Sequence, residues 1–133
     1  MSDAPRTHDR ISVALCGEVV TLRPGYAKVA LETVAEMAAD DRGLVHGGFT
    51  FGLADYAAML AVNEPTVVLA SAETKFLGPV VEGDRLEAEA TVEKSDGKKR
   101  VVKVTVRRGD TPVMEGQFLA IVPDRHILDV PKR

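Results

Sequence analysis

Along the chain the apolar residues change their spacing from one segment to the next, and the spacing names the element. From Val45 to Val62 (VHGGFTFGLADYAAMLAV) they recur at helical intervals. Phe49, Leu53, Tyr56 or Ala57, and Leu60 form one stripe, while Phe51, Ala54, Ala58 and Met59 fill most of the remaining circumference. This predicts one helix, apolar nearly all round and therefore buried, with a sheet wrapped about it. Asn63-Glu64-Pro65 ends it, because proline disfavours helical geometry in the residue before it.

Elsewhere the period is two. Ile11 to Leu22 reads as a first strand of mixed pattern, Arg23-Pro24-Gly25 as a turn, and Tyr26 to Thr33 as a strand with Ala27, Val29 and Leu31 on one face, which makes a hairpin. Val34 to Ala39 predicts a helical turn, and Asp40 to Gly43 a polar loop leading into the helix. After the helix, Thr66 to Phe76 is a strand whose unbroken apolar run, Val67 to Ala72, predicts burial on both faces in a central or interface position.

Arg85 to Glu93 alternates strictly, with Leu86, Ala88, Ala90 and Val92 facing one way, and the next strand carries Val102, Val104 and Val106 on one face. Directly paired residues share a face, so pairing Val92 with Val102, Ala90 with Val104 and Glu87 with Arg107 satisfies both strands. That register leaves a three-residue loop, Asp96-Gly97-Lys98. Val113 to Val122 is a last strand with Met114, Phe118, Ala120 and Val122 inward. Two strands, one long helix and an antiparallel meander of four more strands give an α+β fold, a curved sheet around one helix. A single domain over 1–133 is expected, with 1–10 and 123–133 as flexible or peripheral tails.

Composition then excludes whole classes. A net charge of -3 offers no broad electrostatic footprint for nucleic acid. The single Cys16 rules out an internal disulfide framework, and His8, His126 and Cys16 lack metal-ligand spacing, so no metal is expected. The polar N-terminus has no signal-peptide core and no run is long enough to span a membrane, so a soluble, cytoplasmic protein without a membrane partner is expected.

The helix raises a chemical question. From Phe51 to Val62 its only carboxylate is Asp55, and the residues three and four away are Phe51, Gly52, Ala58 and Met59, so the charge sits on no solvated face. The plain explanation is a structural acid bonded to backbone amides; the alternative is chemistry. At the start of the helix, His46-Gly47-Gly48 leaves first-turn amides open to close approach, which makes an anion site.

The order of elements, with His46-Gly47-Gly48 followed by Leu53-Ala54-Asp55, resembles the hotdog-fold acyl-CoA thioesterases, most closely the phenylacetate-pathway type. The likeness covers about residues 11–122 and takes in Phe76-Leu77-Gly78-Pro79 and Glu82-Gly83-Asp84. It implies a hotdog fold with Asp55 as nucleophile or general base, the Gly47 amide polarising the thioester carbonyl, and His46 orienting the loop or contacting substrate. Gly48, Phe49, Tyr56, Met59 and Phe76 are then candidates to line the substrate pocket, and Ser71 and Thr74 to hold a water. The substrate would be an acyl-CoA or an acyl group on a related pantetheine carrier, with coenzyme A entering only as part of it. One departure lies before the motif, where relatives often carry asparagine near position 40 and this chain has Asp40 and Asp41.

Thioester hydrolysis needs a nucleophile or activated water on one side of the carbonyl and a donor aimed at the developing oxyanion. Gly47 and Asp55 are eight residues apart, so they lie about 12 Å apart along a helix axis and cannot serve one carbonyl together. Two antiparallel helices about a two-fold axis would bring Gly47 of one chain beside Asp55 of the other, twice over. A homodimer with shared sites is therefore expected, possibly as a dimer of dimers. Two alternatives stay open: a hotdog enoyl-CoA hydratase using Asp41 and His46, although Arg42-Gly43-Leu44-Val45 lacks the asparagine-proline of that type, and a non-catalytic acyl-CoA sensor. The serines include no G-x-S-x-G elbow, which excludes a serine hydrolase of that kind.

Overall fold

The structure is a computed structural model and describes residues 3–131. In chain order the elements are α1 (Val13–Cys16), β1 (Glu18–Arg23), β2 (Tyr26–Glu32), α2 (Gly47–Val62), β3 (Val68–Phe76), β4 (Arg85–Asp96), β5 (Lys99–Arg108) and β6 (Thr111–Ile121). Single 3-10 turns cover Ala35–Met37 and Ile127–Asp129. One antiparallel sheet of six strands, in the order β1-β2-β4-β5-β6-β3, curves around α2.

Burial follows the pattern read from the apolar spacing. Leu53, Ala54, Ala57, Ala58, Met59 and Leu60 of α2 are wholly enclosed. Against them the sheet presents Leu22, Val29, Leu86, Ala88, Val102, Val104, Met114 and Phe118, all at most 1% exposed. The helix starts at Gly47 with His46 as an extended N-cap, two residues inside the expected stretch. What stops it is Asn63, which takes a left-handed backbone (φ 50°) and returns its N–H to the Met59 carbonyl before Pro65 is reached.

Four expectations are corrected. Ile11–Leu22 is not one strand, because Ser12 caps the short α1, accepting from the Leu15 N–H at 3.3 Å, and β1 begins only at Glu18. β3 is not central. It crosses to the far side and pairs with β6 alone, so it is an edge strand and its apolar run is only partly covered. The four strands after α2 are accordingly not a simple meander; only β4, β5 and β6 follow one another. The β4–β5 hairpin has the expected pairs, Val92 with Val102, Ala90 with Val104 and Glu87 with Arg107, but an irregularity between Val92 and Lys94 shifts the register. Pairing then runs on to Asp96 with Lys99, and the turn shrinks to Gly97-Lys98, with Gly97 left-handed at φ 57°.

Candidate active site

The approach to α2 is pinned from two sides. The His46 N–H donates to the Met37 carbonyl at 2.9 Å, and the Val45 N–H to the Val80 carbonyl at 2.8 Å. One turn earlier Asp40 Oδ1 accepts from the Arg42 and Leu44 amides, at 2.9 and 3.1 Å. Asp40 thus shapes the loop before the motif, as an aspartate in a turn does by replacing a backbone acceptor.

At the helix start the His46 side chain makes no capping bond, and its exposed ring stands edge-on to Phe49 with centroids 6.2 Å apart. The first amides of a helix have no intrahelical acceptor, so Gly47 and Gly48 aim N–H groups outward from the positive end of the helix dipole. Both positions are sterically restricted. A Cβ on Gly47 would meet the Phe76 ring at 3.3 Å, and one on Gly48 would meet the His46 ring at 2.9 Å. Phe76, 56% exposed at the end of β3, therefore forms a wall beside the Gly47 amide.

Asp55 lies two turns further along. Its Oδ1 is the one buried side-chain polar atom among the described residues that has no hydrogen-bond partner. Burial without a compensating donor disfavours the charged form and pushes its pKa up to about 6. Cys16, at the end of α1, lies within electrostatic reach, since burial and then the Asp55 charge both raise its thiol.

The structure brings His46, Gly47, Gly48 and Phe76 together at the helix start, and it sets Asp55 apart from them along the same helix. Tyr56 is buried with its ring 6.3 Å from that of His8. Met59 is fully enclosed in the core. Thr74, opposite Gly116, shares the helix-facing side of β3 with Phe76, whereas Ser71, opposite Leu119, is exposed on the other side. Cys16 escaped sequence reasoning because its segment reads as strand; Ser12, a good N-cap, was the available signal of a helix. No group of three His, Cys, Asp or Glu residues among those described is placed to hold a metal ion. No helix among them is long and apolar enough to cross a membrane.

A sequence profile of the thioesterase superfamily matches residues 42–115, from the loop before the motif into β6. The chain belongs to the thioesterase superfamily. The sheet curved around α2 is the hotdog fold. Among solved structures this superfamily member is similar to the uncharacterized protein PH1136 from Pyrococcus horikoshii. Identity is 53%, coverage 97% of this chain and 99% of that one, and the TM-score 0.95. It is 51% identical over 116 residues to the Methylthioribose-1-phosphate isomerase of Aquifex aeolicus, covering 87% of this chain but only 25% of that protein. A putative esterase of Deinococcus radiodurans is 35% identical over 104 residues, 77% of this chain and 68% of the relative. The transcription factor FapR of Thermoanaerobacter sp. is 28% identical over 113 residues, 84% of this chain and 56% of FapR. The chain thus spans between a quarter and little more than half the length of the first curated relatives it matches.

Proposed function

We propose that this chain hydrolyses an acyl thioester of coenzyme A, or of a related pantetheine carrier, in a site completed by a second copy of itself. The observation that carries the reading is the unpartnered buried oxygen of Asp55, eight residues along the helix from the open Gly47 amide. A carboxylate with one oxygen buried and unbonded is poised either to attack a carbonyl carbon or to take a proton from the water that does. The matching donor in the same chain is about 12 Å away. A two-fold arrangement of antiparallel helices would supply it from the partner, and the open edge of β3, with Leu69, Ala72 and Phe76 only partly covered, is the surface on which a second copy would pair.

In this scheme the thioester oxygen accepts from the Gly47 N–H, where the helix dipole stabilises the negative charge of the tetrahedral intermediate. From the opposite side Asp55 of the other chain either takes a proton from a water whose oxygen bonds to the carbonyl carbon, or bonds to that carbon itself and gives an anhydride that water then opens. The carbon–sulfur bond breaks, the thiolate takes up the proton lost by the water and leaves as the thiol, and the acyl group leaves as the acid. The likeness to a transcription factor favours a second reading, a non-catalytic acyl-CoA-binding sensor.

Free-thiol release from short, aromatic and long acyl-CoAs, measured on the wild type beside Asp55→Ala, decides between them. Hydrolysis of one class, with a loss of at least about a hundredfold in the folded variant, is expected. Binding without turnover would favour the sensor, and activity surviving in Asp55→Ala would remove Asp55 from the chemistry.

A further inference from the structure

β3 joins the rest of the sheet on one side only, through β6, and its other side is open. The Leu77 N–H donates to the Val113 carbonyl at 2.8 Å. Backbone groups alternate in direction along a strand, so those of Ala72, Thr74 and Phe76 point out to the open edge. An irregularity between Leu69 and Ser71 interrupts the strand near its start. The regular ladder is therefore residues 71–77, and Thr74 is its midpoint.

Side chains divide by face. Ala72, Thr74 and Phe76 lie on the helix side, opposite Phe118, Gly116 and Met114, while Glu73 and Lys75 stand exposed on the outer side. Elsewhere on that outer side charges are matched within the chain. Glu89 accepts from the Tyr26 hydroxyl at 2.6 Å and from Arg107 at 3.3 Å, and Lys28 lies 3.9 Å from Glu87. Glu73 and Lys75 enter no ion pair among the described residues, although Glu115 is the cross-strand neighbour of Lys75.

We propose that a second copy pairs with β3 in one antiparallel register, centred on Thr74, in which Glu73 of each chain faces Lys75 of the other. This rests on the reading of a site shared by two copies and adds which residues meet at the seam. With both helices on the same side of a joined sheet, facing residues must share a side, so the two-fold axis passes where one residue faces its own counterpart. The candidates along the regular ladder are Ala72, Glu73, Thr74 and Lys75. Centring on Glu73 or on Lys75 sets like charges face to face, which destabilises the pair. Centring on Ala72 puts Glu73 opposite Ser71 and Lys75 opposite Leu69, which leaves both charges unmatched and runs the ladder across the irregularity. Centring on Thr74 uses the whole regular stretch and makes the opposite-charge pair twice over. It also sets threonine against threonine, a favoured cross-strand pair, and brings the 56% exposed Phe76 against the small Ala72 of the second copy. Because Phe76 walls the Gly47 amide, the register also fixes what the second copy places beside that wall.

Single cysteines read the register directly, since only a residue at the axis faces itself. In a Cys16→Ser background, Ala72→Cys, Glu73→Cys, Thr74→Cys and Lys75→Cys are each oxidised at low protein concentration and followed on non-reducing gels. Facing Cα atoms lie about 4.5–5.5 Å apart, within disulfide range, whereas a shift of two residues carries them beyond about 7 Å. Thr74→Cys should link at least about tenfold faster than the other three. Faster linking at any other position overturns the register. If Thr74→Cys fails to fold, the exposed charges serve instead. Glu73→Lys and Lys75→Glu should each weaken the homodimer by about tenfold at low salt in sedimentation, and an equimolar mixture of the two should recover a tight heterodimer. Homodimers as tight as wild type would overturn the proposal. Linking needs no turnover, so a dimer linked at Thr74 that releases no thiol sinks the thioesterase reading and leaves the register standing. A chain that stays monomeric and active sinks the shared site and the register together.

Discussion

Asp55 is where burial and charge conflict, and the conflict fixes how the protein should respond to pH. Its pKa is raised in the folded chain from 3.8 to about 6, so between those values the folded state binds more protons than the unfolded state. Stability from this group is complete below the unfolded value and is lost as pH rises through about 6. Asp55→Asn should therefore leave the melting temperature little changed near pH 4 and raise it near pH 8, where the stabilisation is about 1 kcal/mol once partial exposure of the side chain is allowed for. A melt at the two pH values, showing equal shifts, would contradict unopposed burial. Activity should run the other way, rising through about pH 6 as the carboxylate forms. The oddness of Asp55 was legible in the sequence because a lone acid on an apolar helix breaks the pattern around it. That Cys16 comes within electrostatic reach of it was not, since no local spacing records which distant segment will approach a helix.

At the scale of elements, strict alternation made the β4–β5 register readable, because one face of each strand had to be the core face. The extra residue near Glu93 was unreadable: it changes the pairing without changing which apolar residues face inward before it. Of the two places expected for β3, central or interface, the central one was wrong for a related reason. An apolar run shows that a strand has two faces to cover, but not whether its own chain covers them. β3 is held to the sheet by β6 alone, and Gly116 is the tight point, since a Cβ there would stand 2.6 Å from the Glu73 carbonyl oxygen and 2.7 Å from Thr74 Cγ2. Gly116→Ala should cost about 2–3 kcal/mol in denaturant unfolding, with faster amide exchange concentrated in β3. Wild-type stability in that variant would show that β3 gives way freely and is not rigidly placed.

For the whole molecule, the central claim is that one reaction centre draws on two chains. Two inactive variants can test it. Gly47→Pro deletes the outward N–H at a first helical position whose backbone, after the extended His46, suits proline, and its Cβ displaces the exposed Phe76 ring that stands 3.3 Å away. It should lower thiol release by about a hundredfold or more, the usual consequence of losing an oxyanion donor. Asp55→Ala removes the carboxylate. In a heterodimer of the two, one site carries both defects and the other carries neither. The decisive measurement is thiol release after the two variant chains are denatured together in equal amounts and refolded, with heterodimer content followed by native mass spectrometry. Random assortment should restore about a quarter of wild-type activity, because half of the dimers then hold one intact site. A mixture that forms heterodimers yet stays as inactive as its parents would contradict a site shared between Gly47 and Asp55.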